Sequence, residues 1–388
     1  MSEVPNLVPA TLGPQADLAR RVLAMESAEG IPQWMLHIME HAEIEHLAGT
    51  APGSYACNPE QVYLACQKAA GTCFIDQWIP RNPLTMGPRG YESMTERGAM
   101  TGAERIVCDG IVIDSPEAVV EHMEQFTLPH IREQTQRLAR DAEKTVTDLL
   151  AGERRVQELF GPNLLKVPYG GFCAFPVLRY WQYGYENYFM AYALYPEVME
   201  RDFAASADWA RAYNTLAARA IREGRLPAVV RLDHDMADSR GTLVDIRSLD
   251  RLWLPHFARA VEPLVSAGVR LLWHCDGNLM ILLPRLIEAG VSGFQGFQYE
   301  DGMDYEAICR MKTREGDDLL IVAGVSVTRT LPHGTPSDVR DELRWLVENG
   351  PRTGLFLAAS SSIAPGVPWE NLLALVEGLA FYRERGRA

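Results

Sequence analysis

From residue 228 onward, short apolar runs alternate with helix-length amphipathic segments, and this alternation constrains the fold more than any other feature of the chain. The runs are 228–233 (AVVRLD), 269–274 (VRLLWH), 292–298 (SGFQGFQ), 319–325 (LLIVAGV) and 354–359 (GLFLAA). Strands so nearly apolar have no face to give to water, which points to a parallel sheet covered on both sides. Between the first two runs, Leu249, Leu252, Trp253, Ala260, Val261, Leu264 and Val265 fall on one face at helical spacing, and Gly268 ends that helix. Further helices fit 279–289, 303–313, 336–348 and 369–384, near the turn signals Gly290, Pro336 and Pro368. In the first half, strands fit 32–37, 72–77 and 164–169, and segment 115–160 reads as helix with a charged face. Three strands and five make eight, so the expected fold is α/β, a single (β/α)8 TIM barrel spanning residues 1–388. The expectation adds a helical extension over 1–30 and, over the Gly- and Pro-rich segment 81–114, an insertion forming a hairpin flap.

Composition narrows the partners. With 37 Lys and Arg against 51 Asp and Glu, the net charge is −14, and no basic cluster stands out. Such a chain is poorly matched to nucleic acid or an anionic membrane surface, which leaves a small molecule or another protein and keeps a homodimer open. The seven cysteines are scattered without a CxxC pair, as expected of reduced thiols. No signal-peptide pattern or bilayer-length apolar stretch is present, so the expected location is the cytoplasm.

In a barrel of this kind the reactive groups follow the strands, on one face. Those positions hold Asp76, Tyr169 to Gly171, Asp233-His234-Asp235, His274-Cys275-Asp276, Gln298-Tyr299-Glu300, Ser326 with Thr328-Arg329, and Ser360-Ser361-Ser362. Alternate residues at a strand end point the same way. His274 and Asp276 can therefore aim two donors at one ion, with Glu300 adding a third from the next loop. The competing reading makes Asp276 a cap for the following helix and His274 a core residue. In Asp233-His234-Asp235 one carboxylate can orient His234 as an acid/base or as a ligand orienter, or the three form a solvated loop in which Asp235 or Asp238 supports the Ser239-Arg240-Gly241 turn. Tyr180, Trp181, Tyr185 and Tyr188 stand in an aromatic run, where they either pack against the barrel or wall a pocket for an apolar substrate.

The residues over 229–384 resemble the uroporphyrinogen decarboxylase superfamily, which includes methyltransferases that work with corrinoid proteins. The resemblance rests on Asp233 with Gly241 and Asp245, on Gly268-Val269 leading to His274-x-Asp276-Gly277-Asn278, on Gly290-Val291-x-Gly293, and on Gly302-Met303-Asp304. It continues through Thr330-Leu331-Pro332-x-Gly334-Thr335-Pro336 and Ser360-Ser361-Ser362-Ile363 to Gly366-x-Pro368-x-Glu370-Asn371. Weaker matches are Phe74-x-Asp76 and Gly184-x-Glu186-Asn187. The family fold is a single (β/α)8 barrel.

The departures are as informative. Family decarboxylases grip porphyrinogen carboxylates with an arginine-rich N-terminal segment and place a histidine in the last barrel loop; here the segment reads Pro32-Gln33-Trp34-Met35-Leu36-His37, and the loop position is Ser361. Only Asp76 matches the decarboxylase pattern. The zinc methyltransferases bind their metal through His-x-Cys and a second cysteine, where this chain has His274, Asp276 and Ser361. Oxygen in place of sulfur makes a harder site, suited to Zn²⁺ or another divalent ion. In the distantly similar cobalamin-independent methionine synthases an additional glutamate ligand lies where Glu300 stands.

The resemblance therefore implies a methyltransferase that takes a methyl group from a small methylated substrate, a methoxy compound and in one form an aromatic one, and passes it to a corrinoid on a partner protein. His274, Asp276 and Glu300 would be the metal ligands. Asp76, Asp233, His234 and His274 would be catalytic, and Tyr180, Trp181, Tyr185, Tyr188, Gln298 and Ser361 would meet the substrate. The alternative is a cofactor-independent decarboxylase or lyase using Asp76 and His234 on a smaller carboxylic acid.

Overall fold

The computed structural model describes residues 7–81, 86–87, 90–91 and 105–387. The fold is α/β with a parallel sheet. Among the described residues, seven parallel strands carry the frame: β1 (Phe74–Ile75), β2 (Leu165–Lys166), β3 (Val229–Asp233), β4 (Arg270–His274), β5 (Val291–Gln295), β6 (Leu320–Val325) and β7 (Leu355–Ala359). β3 to β7 form one sheet in consecutive order, and β1 pairs with β2 in a second. All five apolar runs of the C-terminal half are thus strands, and their burial on both faces explains the missing polar alternation: β6 and β7 are buried at every position.

The N-terminal strands are thinner than the sequence suggests. Segment 32–37 forms isolated parallel bridges, Gln33 with Leu357 on β7 and Trp34 with Phe74 on β1, while Tyr169 bridges to Arg231 on β3. These bridges link the two sheets at both ends. The backbone joins there through single bridges, whereas β6 and β7 share a five-residue register.

Helices cover the outside. Pro196–Gly224, the longest, packs against Leu254–Ser266, and Pro336–Asn349 against Trp369–Arg385. Pro336–Asn349 opens with a full capping box, Thr335 and Asp338 exchanging side-chain and backbone bonds. The helix read over 249–265 is two, Ile246–Leu252 and Leu254–Ser266, parted at Trp253 where Pro255 starts the second. Segment 115–160 divides likewise at a π-turn over Met123–Thr127 and at Asp141. Pro14–Leu23 is the helix of the N-terminal extension. Most of the 81–114 insertion lies outside the described residues; within it, Met86–Gly87 pairs with Gly90–Tyr91, and Val107–Cys108 with Ile111–Val112, both antiparallel. Among the described residues, no helix is long and apolar enough to cross a membrane.

Candidate active site

The site grows from the ends of β3 and β4. In their parallel register His274 stands beside Asp233, so the residues that follow, Asp235 and Asp276, leave the sheet side by side. One ligand atom each from Asp235, His274 and Asp276 lie within 4.8 Å of one another. The backbone N–H of Asp276 donates to Asp235 Oδ1 at 2.9 Å, tying the two loops. Gly277 turns the chain away at φ 86°, where a Cβ would stand 2.7 Å from the Asp238 carbonyl oxygen. Its N–H donates to Gln298 Oε1 at 2.7 Å.

Two atoms of this group lack the partners that buried polar atoms ordinarily have. Asp276 Oδ2 accepts from the Ser361 hydroxyl at 3.3 Å, but Oδ1 is buried without a hydrogen bond, and so is Nδ1 of His274. Nε2 of His274 lies 4.0 Å from Asp233 Oδ1. Burial pushes the Asp235 carboxyl up to about 6, with His274 opposing the rise and Asp276 adding to it. Two carboxylates and an imidazole around an unsatisfied oxygen fit a divalent cation of the harder or borderline kind. Among the described residues, this is the one grouping of at least three such side chains.

Beside it opens a cleft of about 1160 Å³. Asp235 and Asp276 line it together with Gln298, Tyr185, Phe189 and Met280, and the short antiparallel pair Ala237–Asp238 with Gly241–Thr242 forms one edge. Tyr180 backs the wall: its ring stacks on Tyr185 at 4.7 Å and on His234 at 5.8 Å, and its hydroxyl donates to the Asp235 carbonyl oxygen at 2.9 Å.

The other sequence-selected residues fall elsewhere. Glu300 stands apart from the cation grouping; its Oε1 accepts from Ser326 at 2.8 Å and from Thr328. His234 is buried, and its Nε2 accepts the Leu178 backbone N–H at 2.9 Å. Burial lowers that histidine to about 4, which makes it neutral packing against Tyr180 and Phe175. Tyr188 is fully buried and Trp181 is 45% exposed; neither lines the cleft. Gly184, at φ 82°, separates the helices Tyr180–Tyr183 and Tyr185–Leu194, so helical spacing does not carry across it.

Asp76 is buried and fully engaged, accepting from Trp34 Nε1 at 2.8 Å, from the Gln77 N–H at 2.7 Å and from Arg231 Nε at 2.6 Å. Arg231 was not among the sequence candidates, nor was Asp235 among the ligands. Their signals were present: a lone guanidinium inside an apolar strand, and a carboxylate two residues past β3 just as Asp276 is two past β4. His37 was also missed. Its Nδ1 shares a hydrogen bond with the Ser362 hydroxyl at 2.8 Å, which brings a histidine to the last loop from the far end of the chain. Burial and the nearby Arg231 lower it to about 4.

Residues 227–380 match the family model for uroporphyrinogen decarboxylase (URO-D). No curated protein matches the chain. Among solved structures, a methyltransferase from Methanosarcina mazei is similar over 95% of this chain and 98% of its own, at 15% identity and a TM-score of 0.54, which shows a shared fold. A B12-independent methionine synthase from Shewanella sp. W3-18-1, solved with selenomethionine, is similar over 63% of this chain and 67% of its own, at 12% identity and a TM-score of 0.37. Residues 227–380 thus carry a uroporphyrinogen decarboxylase (URO-D) domain, in a chain whose fold is held in common from end to end with a solved structure.

Proposed function

We propose that the chain is a methyltransferase that takes a methyl group from a small methoxy compound, an aromatic one by preference, and passes it to a corrinoid carried on a separate protein. The observation that carries the reading is the cluster of Asp235, His274 and Asp276, with an unpartnered buried oxygen, whose two carboxylates line a cleft that also presents Tyr185 and Phe189. The URO-D domain over 227–380 and the fold shared with the Methanosarcina mazei methyltransferase support it. So do the bridges that join the two sheets, which we read as closing a (β/α)8 barrel with this cleft at the C-terminal ends of its strands.

Breaking an ether C–O bond leaves the electron pair on oxygen, and that oxygen is a poor leaving group without positive charge or a proton beside it. A divalent ion held by Asp235, His274 and Asp276, when bound, supplies that charge. Ser361 holds the Asp276 carboxylate by one oxygen, and the other, buried without a partner, would be available to a cation. The rings of Tyr185 and Phe189 bind and orient the substrate. The lyase alternative loses ground because its two groups, Asp76 and His234, already hold their hydrogen bonds within the protein.

The test incubates the purified chain and a divalent ion with methoxybenzenes and a reduced corrinoid protein, following cobalt methylation by absorbance and the demethylated product by chromatography. Both signals are expected together. Release of CO₂ from a carboxylic acid without any methyl transfer would overturn the reading in favour of the lyase.

The raised Asp235 carboxyl adds a pH dependence. In the fold this group keeps its proton up to about pH 6, so a cation must displace a proton below that pH and none from this group above it. Affinity for a divalent ion should rise by about tenfold per pH unit on approaching pH 6, as one displaced proton requires, and level off above pH 7. Calorimetric titration between pH 5 and 8 measures this. The sign for stability is opposite: without an ion, ionising Asp235 disfavours the fold, so its contribution declines as pH rises from about 4 through 6.

A further inference from the structure

Arg231 has no part in the reading above, yet it is a buried charged group with every arm of its guanidinium committed. Its side chain is 3% exposed. Nε donates to Asp76 at 2.6 Å, Nη1 to Asp233 Oδ2 at 3.1 Å and Nη2 to Gln77 Oε1 at 3.0 Å. The guanidinium also lies 5.0 Å from the Trp34 ring and 4.5 Å from that of Tyr169. Apart from Asp233 on its own strand, these partners come from the 32–37 segment and from the residues that follow β1 and β2, the region where backbone pairing has thinned to single bridges. A planar fork with fixed donors can hold two carboxylates at set angles where an ammonium cannot.

The consequence falls on Asp233. Its Oδ2 is taken twice, by Arg231 and by the Tyr169 hydroxyl at 3.0 Å, and Oδ1 is left facing Nε2 of His274. We infer that Arg231 is a positioning residue of the cation centre: with Tyr169 it fixes the Asp233 carboxylate so that Oδ1 holds the His274 ring in place for the ion. This rests on the cation reading of the preceding section. A carboxylate behind a ligating histidine is a common way to set the ring's orientation, and its loss typically costs 10–100-fold in metal affinity. Charge balance agrees, since Arg231 offsets one of the two carboxylates it touches and leaves the other's negative charge for the histidine side.

The test uses three variants of the full chain, Arg231→Lys, Arg231→Met and Tyr169→Phe. The last keeps the ring and removes only the hydroxyl, so it remains informative if the arginine variants fail to fold. Crystal structures report where Asp233 points, and Co²⁺ titration reports affinity together with the visible spectrum of the bound ion. The expected result is an Asp233 carboxylate turned away from His274, with Co²⁺ affinity about 10–100-fold weaker in Arg231→Met and a smaller loss in Tyr169→Phe. Arg231→Lys should fall between wild type and Arg231→Met. An unmoved Asp233 in folded Arg231→Met, or in Tyr169→Phe should both arginine variants fail to fold, would overturn the inference, as would a moved one with unchanged affinity and spectrum. Should the wild-type chain bind no Co²⁺, the cation reading itself falls and takes with it the role assigned to Arg231.

Discussion

An Asp276→Ala variant is expected to purify without a divalent ion and to lose more than the 10–100-fold in metal affinity that removal of an outer partner costs, with methyl transfer falling in step. The reason lies in how the carboxylate is held. Ser361 occupies Oδ2, and Oδ1 is buried with nothing to bond to. A buried carboxylate oxygen without a partner is costly to keep, and a cation shared with Asp235 and His274 would satisfy it. Removing the side chain should therefore relieve a local penalty even as it abolishes the centre, so the variant should be no less stable than the ion-free wild type. Elemental analysis and thermal denaturation of the same preparations check both statements. Glu300→Ala is the contrasting variant. Its Oε1 is already occupied by Ser326 and Thr328, so metal content should be retained. Metal lost from Glu300→Ala and kept in Asp276→Ala would show that the ligands are the wrong ones.

The second large effect is expected at Gly296, directly after β5. Its φ is 88°, and a Cβ there would stand 2.5 Å from His274 Nδ1 and 2.7 Å from Cε1. Alanine in this backbone region costs about 1–2 kcal/mol, and forcing an extra methyl into a packed site costs about 1–3 kcal/mol more. Gly296→Ala should lower stability by about 2–5 kcal/mol on these grounds. It should also displace the imidazole, so that metal affinity drops in the fraction that stays folded. Urea denaturation and Co²⁺ titration measure the two parts separately. A change of stability below about 0.5 kcal/mol, the ordinary range of a neutral surface substitution, together with full metal binding would mean that the His274 ring is free to move and is not held by Gly296.

Gly296 also explains why Glu300, expected beside Asp276, stands outside the grouping of Asp235, His274 and Asp276. Treating 292–298 as one strand puts Glu300 just past a strand end, in step with Asp276. The strand stops at Gln295, and the left-handed glycine turns the chain so that Glu300 meets the hydroxyls that follow β6. Period-two reasoning holds only while the backbone remains extended. The aromatic run divides between packing and the cleft for the same kind of reason, since Gly184 resets the helix between Tyr183 and Tyr185. Of its rings, only Tyr185 reaches the cleft among the four singled out, while Tyr180 supports it from behind.

What could be read from the chain alone was whatever depends on neighbours in sequence. Apolar runs with no polar alternation had to be strands buried on both faces, and five of them are; His274-x-Asp276 had to leave its strand with both side chains on one side, and both stand in the cation grouping. The tertiary structure decided which distant groups complete these local pieces. Asp235 joins the pair because β3 and β4 run in parallel register, and Arg231 meets Asp76 across 155 residues of sequence. His37 reaches Ser362 across 325. A charge inside an apolar strand announces that a partner must exist, because an unpaired ion there is too costly. Which carboxylate answers is set only when the sheets come together and bring their interior faces within hydrogen-bonding distance.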